Sequence, residues 1–205
     1  MHLSWLGLSS CKFETKEAVV VTDPYAPSVG PRPLRAKADV VTVSNPEHPE
    51  HGHIAALSGN PFVVDHQGEF EVKGIYIEGI RDTPTTMFTF DVEGLRLAHL
   101  GDLRAVPPDS VLEKLTGVDI LFLPVGGRVT LEPETAMRVV NAVEPHVVVP
   151  IHFHQDGWKV SEKLLPVSAF LREIGSSKVE PVDRISIKKR DLSEKTQVVV
   201  FSVGR

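Results

Sequence analysis

The sequence is poor in the features that mark secreted and membrane-spanning proteins. It contains one cysteine, Cys11, so no disulfide can form within the chain, which fits a reducing compartment. Cys11 has no histidine or other base beside it in sequence, and we expect a buried small apolar residue rather than a nucleophile. No apolar run reaches the roughly 18 residues that a membrane-spanning helix needs. The start, MHLSWLGL, lacks the basic segment of a signal peptide. We therefore expect a soluble cytoplasmic protein with no membrane partner.

Acidic residues outnumber basic ones. The chain has 22 Lys and Arg against 27 Asp and Glu, a net charge of -5, and its dense cationic stretch, KKR at 188–190, ends at Asp191. A solvated strand end or loop accounts for that stretch, so no nucleic-acid partner is expected. A phosphate-binding loop is not indicated either. Gly126 and Gly127 in LPVGG predict a tight strand-to-helix turn and lack the GxxxxGK pattern.

What the sequence does contain is typical of a folded α+β protein. Apolar residues make up 41% and charged residues 24% of its 205 positions, and this length suits a single domain over residues 1–205. Short β-type runs separated by turn residues fill the first half, and β-α alternation fills the second half, with no linker between them. The pattern predicts two β-sheets packed together with helices outside.

Individual segments give more specific expectations. The apolar run at 36–44 predicts one continuous buried strand, and 51–59 could hold one or two helical turns. Thr130 is a candidate cap for the second of three predicted helices, and Gly175 is expected to close the third. The three predicted helices are 108–117, 130–145 and 164–175.

Histidine or carboxylate side chains stand at the ends of four predicted strands. The strand ends are Asp23 in TDP, the segment SNPEHPEH at 44–51, Asp102 in HLGDL, and His152 with His154 in PIHFH. Sheet proteins place their sites at strand ends and in the loops that follow. Any one of these residues alone would be an ordinary loop residue. Four together favour a metal site, and their nitrogen and oxygen atoms suit Zn²⁺.

The order of these motifs resembles the metallo-β-lactamase superfamily. WLG, TDP, HPEH, GEFEVKGI, HLGDL, LPVGG and VVVPIHF follow one another as in that superfamily, closest to the metal-dependent hydrolases similar to L-ascorbate-6-phosphate lactonase. The resemblance covers nearly the whole chain. It implies a four-layer αββα sandwich with a metal site at one edge of the two sheets.

The first metal-binding motif of the superfamily is incomplete in this chain. Its H-x-H-x-D-H pattern falls on residues 46–51, where Pro46 replaces the first histidine. If one residue is inserted, the first histidine becomes Asn45 instead. Glu50 replaces the aspartate and is one methylene longer. Pro46 has no metal-binding side chain, and Asn45 is a poor zinc ligand.

Two further motifs also depart from the superfamily. The histidine expected after the GEFEVKGI strands is missing, and Arg81 or Asp82 lies nearest to its position. Near the start, Gly7 is followed by Leu8, where this branch commonly has G-H-S. If Arg81 points inward, it would place a positive charge where one metal ion is missing.

The resemblance still implies a ligand set for one ion. The bridging aspartate matches Asp102 and the last histidine matches His152, so one of the two family sites keeps Glu50, His51, Asp102 and His152. The other site keeps only His48 and Asp102. We therefore expect at most one zinc or manganese ion per chain, or none, with Glu50 or Asp102 as the catalytic proton acceptor. The candidate metal ligands are His48, Glu50, His51, Asp102 and His152.

The remaining polar candidates have weaker support. Asp23 either supports the metal loop by hydrogen bonds or caps a turn, and the sequence leaves both open. His99 and His154 are expected to be structural or solvent-facing, and His53 and His66 to face solvent.

Two functions stay open on this basis. The first is a protein descended from metal-dependent hydrolases, with a degraded site and weak or lost activity; if activity is lost, the fold is kept for binding or assembly. The second is an active hydrolase of an ester, lactone or phosphoester that uses a single zinc or manganese ion. An unrelated β-rich binding module is disfavoured by HLGDL and PIHF. The ligand would be a small molecule, anionic if Arg81 points inward, and a homo-oligomer is left open.

Overall fold

Two β-sheets of mixed direction form the frame of the computed structural model, which describes residues 1–82, 84–160, 163–176 and 178–203. The first sheet has six strands in the order β14-β1-β2-β3-β5-β7. Its last three strands run parallel and its other neighbours are antiparallel. Its strands are β1 (His2–Gly7), β2 (Ser10–Glu14), β3 (Val19–Thr22), β5 (Val40–Thr42), β7 (Phe62–Val64) and β14 (Arg184–Ser186). A separate parallel pair is formed by β4 (Ala36–Lys37) and β6 (Leu57–Ser58).

The second sheet has seven strands in the order β15-β13-β12-β11-β10-β9-β8. The first four of these run parallel, and β10, β9 and β8 continue as an antiparallel meander. The strands are β8 (Gly68–Val72), β9 (Ile75–Asp82), β10 (Thr85–Val92), β11 (Leu95–His99), β12 (Ile120–Pro124), β13 (Val147–Ile151) and β15 (Gln197–Val198).

The α-helices of the described chain all follow β11. Two separate 3-10 turns lie at Ile54–Ala56 and Lys189–Asp191. The first of them is the helical element within 51–59. Gly175, with φ 71°, follows the third helix as expected. No described helix has the length and apolar character needed to cross a membrane. The helices are α1 (Asp109–Leu112), which continues as a 3-10 turn over Glu113–Leu115, α2 (Pro133–Val143) and α3 (Val167–Glu173).

Two local predictions are wrong. Thr130 does not cap α2, because its hydroxyl donates to the carbonyl of Gly127 at 3.2 Å and the N-cap position is Glu132, followed by a proline at the first helical position. The run at 36–44 is not one strand. The backbone N–H of Ala38 still donates to the small sheet, whereas that of Asp39 donates to Val19 in the first main sheet, so the chain changes partner between β4 and β5.

Apolar side chains from both sheets fill the space between them. The ring of Phe13 from β2 lies 5.3 Å from that of Phe90 and 5.0 Å from that of Phe122, both in the second sheet. Each such side chain stabilises the fold by about 1.5–3 kcal/mol when it is fully buried. Strands β12 and β13 are buried along their whole length, because one face meets the first sheet and α2 and α3 contribute apolar residues to the same core. The predicted architecture of two packed sheets with helices outside is confirmed.

The strand directions bring several chain segments to one edge of the sandwich. β3 and β5 end at Thr22 and Thr42 in the first sheet, and β11 and β13 end at His99 and Ile151 in the second. The carboxyl ends of parallel strands are where such sheets form binding crevices. The polar residues singled out from the sequence follow these strand ends directly.

Candidate metal centre

The segment SNPEHPEH folds into consecutive tight turns after β5. The backbone N–H of His48 donates to Asn45 at 3.1 Å, and those of His51 and Gly52 donate to His48 at 3.0 and 3.1 Å. These turns bring potential ligand atoms of His48, Glu50 and His51 within 4.8 Å of one another. Glu50 and His51 are buried, and His48 is half-buried. Three of the five predicted ligands therefore converge.

His51 has the environment of a metal ligand. Its Nδ1 lies 3.1 Å from Oδ2 of Asp23. Its Nε2 is buried and has no hydrogen-bond partner among the residues that the structure describes, and it lies 3.9 Å from Oδ2 of Asp102. The carboxylate of Asp23 favours a proton on Nδ1 and so directs Nε2 into the site, where Nε2 in its deprotonated form would bind a metal ion. A buried imidazole nitrogen without a partner is costly, and a metal ion at this position would satisfy it.

Of the two roles that the sequence left open for Asp23, the contacts support the first, which is to hold the 44–51 loop by hydrogen bonds. Besides contacting His51, its carboxylate accepts hydrogen bonds from the backbone N–H and the hydroxyl of Ser44, both at 2.7 Å. Asp23 itself has a left-handed backbone conformation with φ 40°. One carboxylate thus fixes the start of the 44–51 segment and orients its last histidine.

His152 approaches from the end of β13. Its Nδ1 lies 2.9 Å from the hydroxyl of Ser9, and its Nε2 lies 3.0 Å from Oε2 of Glu50. Two ligands of a tetrahedral ion with bonds of about 2.0 Å are ~3.3 Å apart, so this nitrogen and oxygen are close to that spacing. The rings of His152 and His51 have centroids 5.5 Å apart. Ser9 therefore holds Nδ1 of His152, and Nε2 of the same ring is directed to Glu50.

Asp102 approaches the same position from the loop after β11. Asp102 and His152 each contact one member of the group formed by His48, Glu50 and His51, but they are not part of that group, whose ligand atoms all lie within 4.8 Å of one another. Asp102 is buried, and its Oδ1 accepts a hydrogen bond from the hydroxyl of Thr85. Nη2 of Arg104 lies 3.6 Å from its Oδ2. Gly101, which precedes Asp102, has φ 59°, and a Cβ there would lie 2.6 Å from Cβ of Ser44. Only glycine allows the two loops to approach this closely.

The electrostatics of the cluster favour a bound cation. Burial raises the pKa of Glu50, but the hydrogen bond from His152, together with the neighbouring histidines, outweighs it, so the pKa lies below the ordinary value. Burial likewise raises the pKa of Asp102, and the charge of His51 and the hydrogen bond from Thr85 bring it below the ordinary value. Both carboxylates are therefore anionic at neutral pH. Burial lowers the pKa of His152, which favours the neutral imidazole that a metal ligand must be. Burial also lowers the pKa of His51, but the charge and hydrogen bond of Asp23 outweigh it and raise that pKa, so a metal ion at Nε2 would have to displace a proton.

The other histidines lie outside the cluster. His99 is buried, and its Nε2 lies 2.7 Å from the carbonyl of Ser9, so it has the structural role expected for it. His154 and His66 are exposed, and His53 is half-buried. None of these four is among the ligand atoms that converge in the described part of the chain.

Arg81 does not enter the site. Its side chain is exposed on β9 and lines a surface cleft with Glu78 and Lys114. The cation next to the cluster is Arg104, and the group that contacts Asp102 from the shortened β9–β10 turn is Thr85. Sequence reasoning missed both, although Arg104 follows HLGDL directly.

Ser9 and Ser44 were missed as well. Ser9 supports His152, and Ser44 supports Asp23. A signal for Ser9 was present, because it occupies the serine position of the G-H-S pattern whose histidine is replaced by Leu8. No comparable sequence signal identifies Ser44.

Comparison with known proteins gives a consistent result. A sequence model of the family described as β-lactamase superfamily domain matches residues 2–152. The crystal structure of a candidate zinc-dependent hydrolase of the metallo-β-lactamase superfamily from Thermotoga maritima has a TM-score of 0.83, with 32% sequence identity over 98% of each chain. The predicted metallo-β-lactamase fold is thereby confirmed.

Relatives are also found at the sequence level. A UPF0173 metal-dependent hydrolase from Methanoculleus marisnigri is 27% identical over 186 residues, which cover 75% of this chain and 81% of the relative. Another from Bacillus mycoides is 24% identical over 226 residues, covering 86% of this chain and 98% of the relative. These matches support the superfamily and do not specify the branch similar to L-ascorbate-6-phosphate lactonase, which stays a prediction.

Proposed function

The chain belongs to the β-lactamase superfamily, and on this premise we propose that it is a metal-dependent hydrolase of low activity that holds a single ion. The observation that carries the proposal is the buried Nε2 of His51, which lacks a hydrogen-bond partner among the described residues while Asp23 fixes the opposite nitrogen. Zinc or manganese would suit the mixed nitrogen and oxygen set. The proposed ligands are Glu50, His51, Asp102 and His152, with His48 at the half-buried side of the site.

The residues around this position have distinct roles in the proposed reaction. When bound, a divalent ion lowers the pKa of a coordinated water and polarises the substrate oxygen. Asp23 holds the imidazole of His51, and Ser9 holds that of His152. These contacts at Nδ1 keep Nε2 of each ring directed into the site. Glu50 or Asp102 accepts the proton that the nucleophilic water loses.

The surroundings of Asp102 support one ion rather than two. In the superfamily, as the resemblance implies, this aspartate bridges two ions. Here one of its oxygens accepts a hydrogen bond from Thr85, at the turn where the superfamily has a histidine ligand. Asn45 and Pro46 replace the other missing histidine. The protein ligands left for a second ion would therefore be His48 and one oxygen atom of Asp102.

A site with one ion should be a weak catalyst on general substrates. A single ion held by these residues would have to serve both the substrate oxygen and the nucleophilic water, two tasks that are divided between two ions in a complete site. The named relatives support hydrolysis as the reaction class, since they are described as metal-dependent hydrolases. An ester, a lactone or a phosphoester is the substrate class that we propose.

The experiment is a hydrolysis assay with lactone, phosphodiester and β-lactam substrates, with and without added Zn²⁺ or Mn²⁺. We expect metal-dependent turnover far below the ~10 s⁻¹ typical of enzymes. His51→Ala and His152→Ala should abolish it. His66→Ala, which removes an exposed histidine outside the cluster, should not. Turnover near ~10 s⁻¹ would instead support the fully active hydrolase. A metal-loaded protein without any turnover would support a binding role.

A further inference from the structure

Arg104 stands at the rim of the metal centre and has no role in the reaction described so far. We propose that its guanidinium supplies part of the positive charge that a second ion would bring, and that it binds an anionic group of the substrate. The substrate would then carry a phosphate or a carboxylate beside the bond that is hydrolysed. This inference rests on the proposed single-metal function and extends it to a substrate class.

The loop after β11 fixes the position of Arg104. The backbone N–H of Leu103 donates to Leu100 at 3.1 Å, and the Leu103 side chain is buried in the core. Asp102 on one side of Leu103 is buried, whereas the Arg104 side chain on the other side is 51% exposed. The backbone thus directs Asp102 into the site and leaves the Arg104 side chain half-exposed beside it.

The guanidinium of Arg104 has N–H groups without a hydrogen-bond partner among the residues that the structure describes. Its Nη2 lies 3.6 Å from Oδ2 of Asp102, which is an ion pair but too long for a hydrogen bond. Within the described ranges of the chain, Arg104 makes no hydrogen bond that would occupy its five N–H groups. An arginine held near a site by charge alone, with its planar fork open, is suited to bind a carboxylate or phosphate through two hydrogen bonds.

The charge balance of the centre gives Arg104 a reason to be there. Three carboxylates lie around the two ligand histidines, those of Asp23, Glu50 and Asp102. One divalent ion would leave a formal charge of about -1, which would repel an anionic substrate. The positive charge of Arg104 brings the formal charge of the centre to zero. Unlike a second metal ion, Arg104 requires no protein ligands. It cannot activate water, so it compensates for the charge of a second ion but not for its chemistry.

The experiment separates the two effects of Arg104 by measuring two ligands. Zinc binding is titrated to the metal-free protein. Inorganic phosphate is titrated calorimetrically to zinc-loaded protein freed of excess zinc. The variants are Arg104→Gln and Arg104→Lys, and the matched control is Arg81→Gln, which removes the same charge from an exposed side chain in a different surface cleft.

We expect Arg104→Gln to weaken phosphate binding without weakening zinc binding. Arg104→Gln should bind phosphate about tenfold more weakly, the size of one lost charge-assisted hydrogen bond. It should bind zinc as tightly as the wild type or more tightly, because a like charge near the ion is gone. Arg104→Lys should be intermediate for phosphate, since it keeps the charge and loses the fork. Arg81→Gln should match the wild type for both ligands.

Other results would overturn the inference in recognisable ways. If the wild type binds no phosphate, or Arg104→Gln binds it unchanged, Arg104 is not an anion-binding residue. If Arg104→Gln loses both zinc and phosphate together with thermal stability, its role is structural. If the wild type takes up no zinc, the proposed single-metal function itself fails, and the inference that rests on it fails too.

Discussion

Replacing Asp23 with asparagine should remove the carboxylate that contacts Nδ1 of His51 while it leaves the geometry of the site unchanged. Asparagine has nearly the same size and tolerates the left-handed conformation, with φ 40°, that Asp23 adopts. The backbone N–H of Ser44 donates to Oδ1 at 2.7 Å, so the amide oxygen should stay at that position. The amide NH₂ then replaces Oδ2 and faces both Nδ1 of His51 and the hydroxyl of Ser44, which can rotate to accept a hydrogen bond instead of donating one. Nδ1 of His51 must become an acceptor, and its proton moves to the Nε2 that faces the metal position.

The size of the effect follows from this exchange of tautomers. Loss of a carboxylate that supports a histidine ligand typically weakens metal affinity 10- to 100-fold. The corresponding loss in binding free energy is about 1.4–2.8 kcal/mol. Zinc competition against a chromophoric chelator measures it directly. We expect Asp23→Asn to stay folded, to keep the stoichiometry and to bind zinc within this weaker range.

A surface pair provides the matched control. Oδ1 of Asp65 lies 2.8 Å from Nδ1 of His66, and both side chains are exposed. Asp65→Asn therefore removes the same kind of contact outside the metal centre and should leave zinc affinity unchanged. Wild-type affinity in Asp23→Asn, in a protein where His51→Ala loses zinc, would refute the argument that Asp23 fixes the tautomer of His51.

Three further predictions concern stability and reactivity away from the site. Burial raises the pKa of the Cys11 thiol well above its ordinary value, so a thiol reagent should label it only as fast as the protein unfolds; labelling at the rate of a free thiol would contradict this. The buried carboxylate of Asp119 pairs with Lys189 at 2.6 Å and also accepts a hydrogen bond from the backbone N–H of Arg96. Asp119→Ala should therefore lower the free energy of unfolding, measured in urea, by about 2–3 kcal/mol. A loss below ~1 kcal/mol would contradict this prediction. The hydrogen bond from Lys73 holds the pKa of Asp39 below its ordinary value. Its stabilising effect is therefore present above the unfolded pKa near ~4 and is lost as the pH falls through the folded pKa. Asp39→Asn should cost about 0.2–1 kcal/mol at neutral pH and nothing at acid pH, and a cost that persists in acid would argue against the ion pair.

The position of the site could be predicted from the sequence because it follows from strand direction. Asp23, Asp102 and His152 each come directly after an apolar strand, and parallel strands bring such ends to one edge. The turn-rich composition of 44–51 likewise predicted a loop that carries several ligands. These features depend on local sequence and on a general rule of sheet geometry.

Other features depend on contacts between distant segments. Thr85 and Arg104 meet at Asp102 because the β9–β10 turn and the loop after β11 come from adjacent regions of one sheet, and no local pattern indicates which side chain faces the metal position. Arg81 was the nearest cation in sequence to the missing histidine, yet its side chain is exposed. The break between β4 and β5 also arises from long-range pairing, since Asp39 meets Val19 of another strand.

The most direct test of the account is the number of metal ions that the protein binds. Elemental analysis of protein purified without chelator, or reloaded with excess zinc and then freed of unbound metal, measures this number per chain. We predict one equivalent, which is lost in His51→Ala and in His152→Ala and kept in His66→Ala. Two equivalents would show that Asn45, Thr85 or another group completes a second site. A wild-type protein that retains no metal under either condition would contradict the central claim.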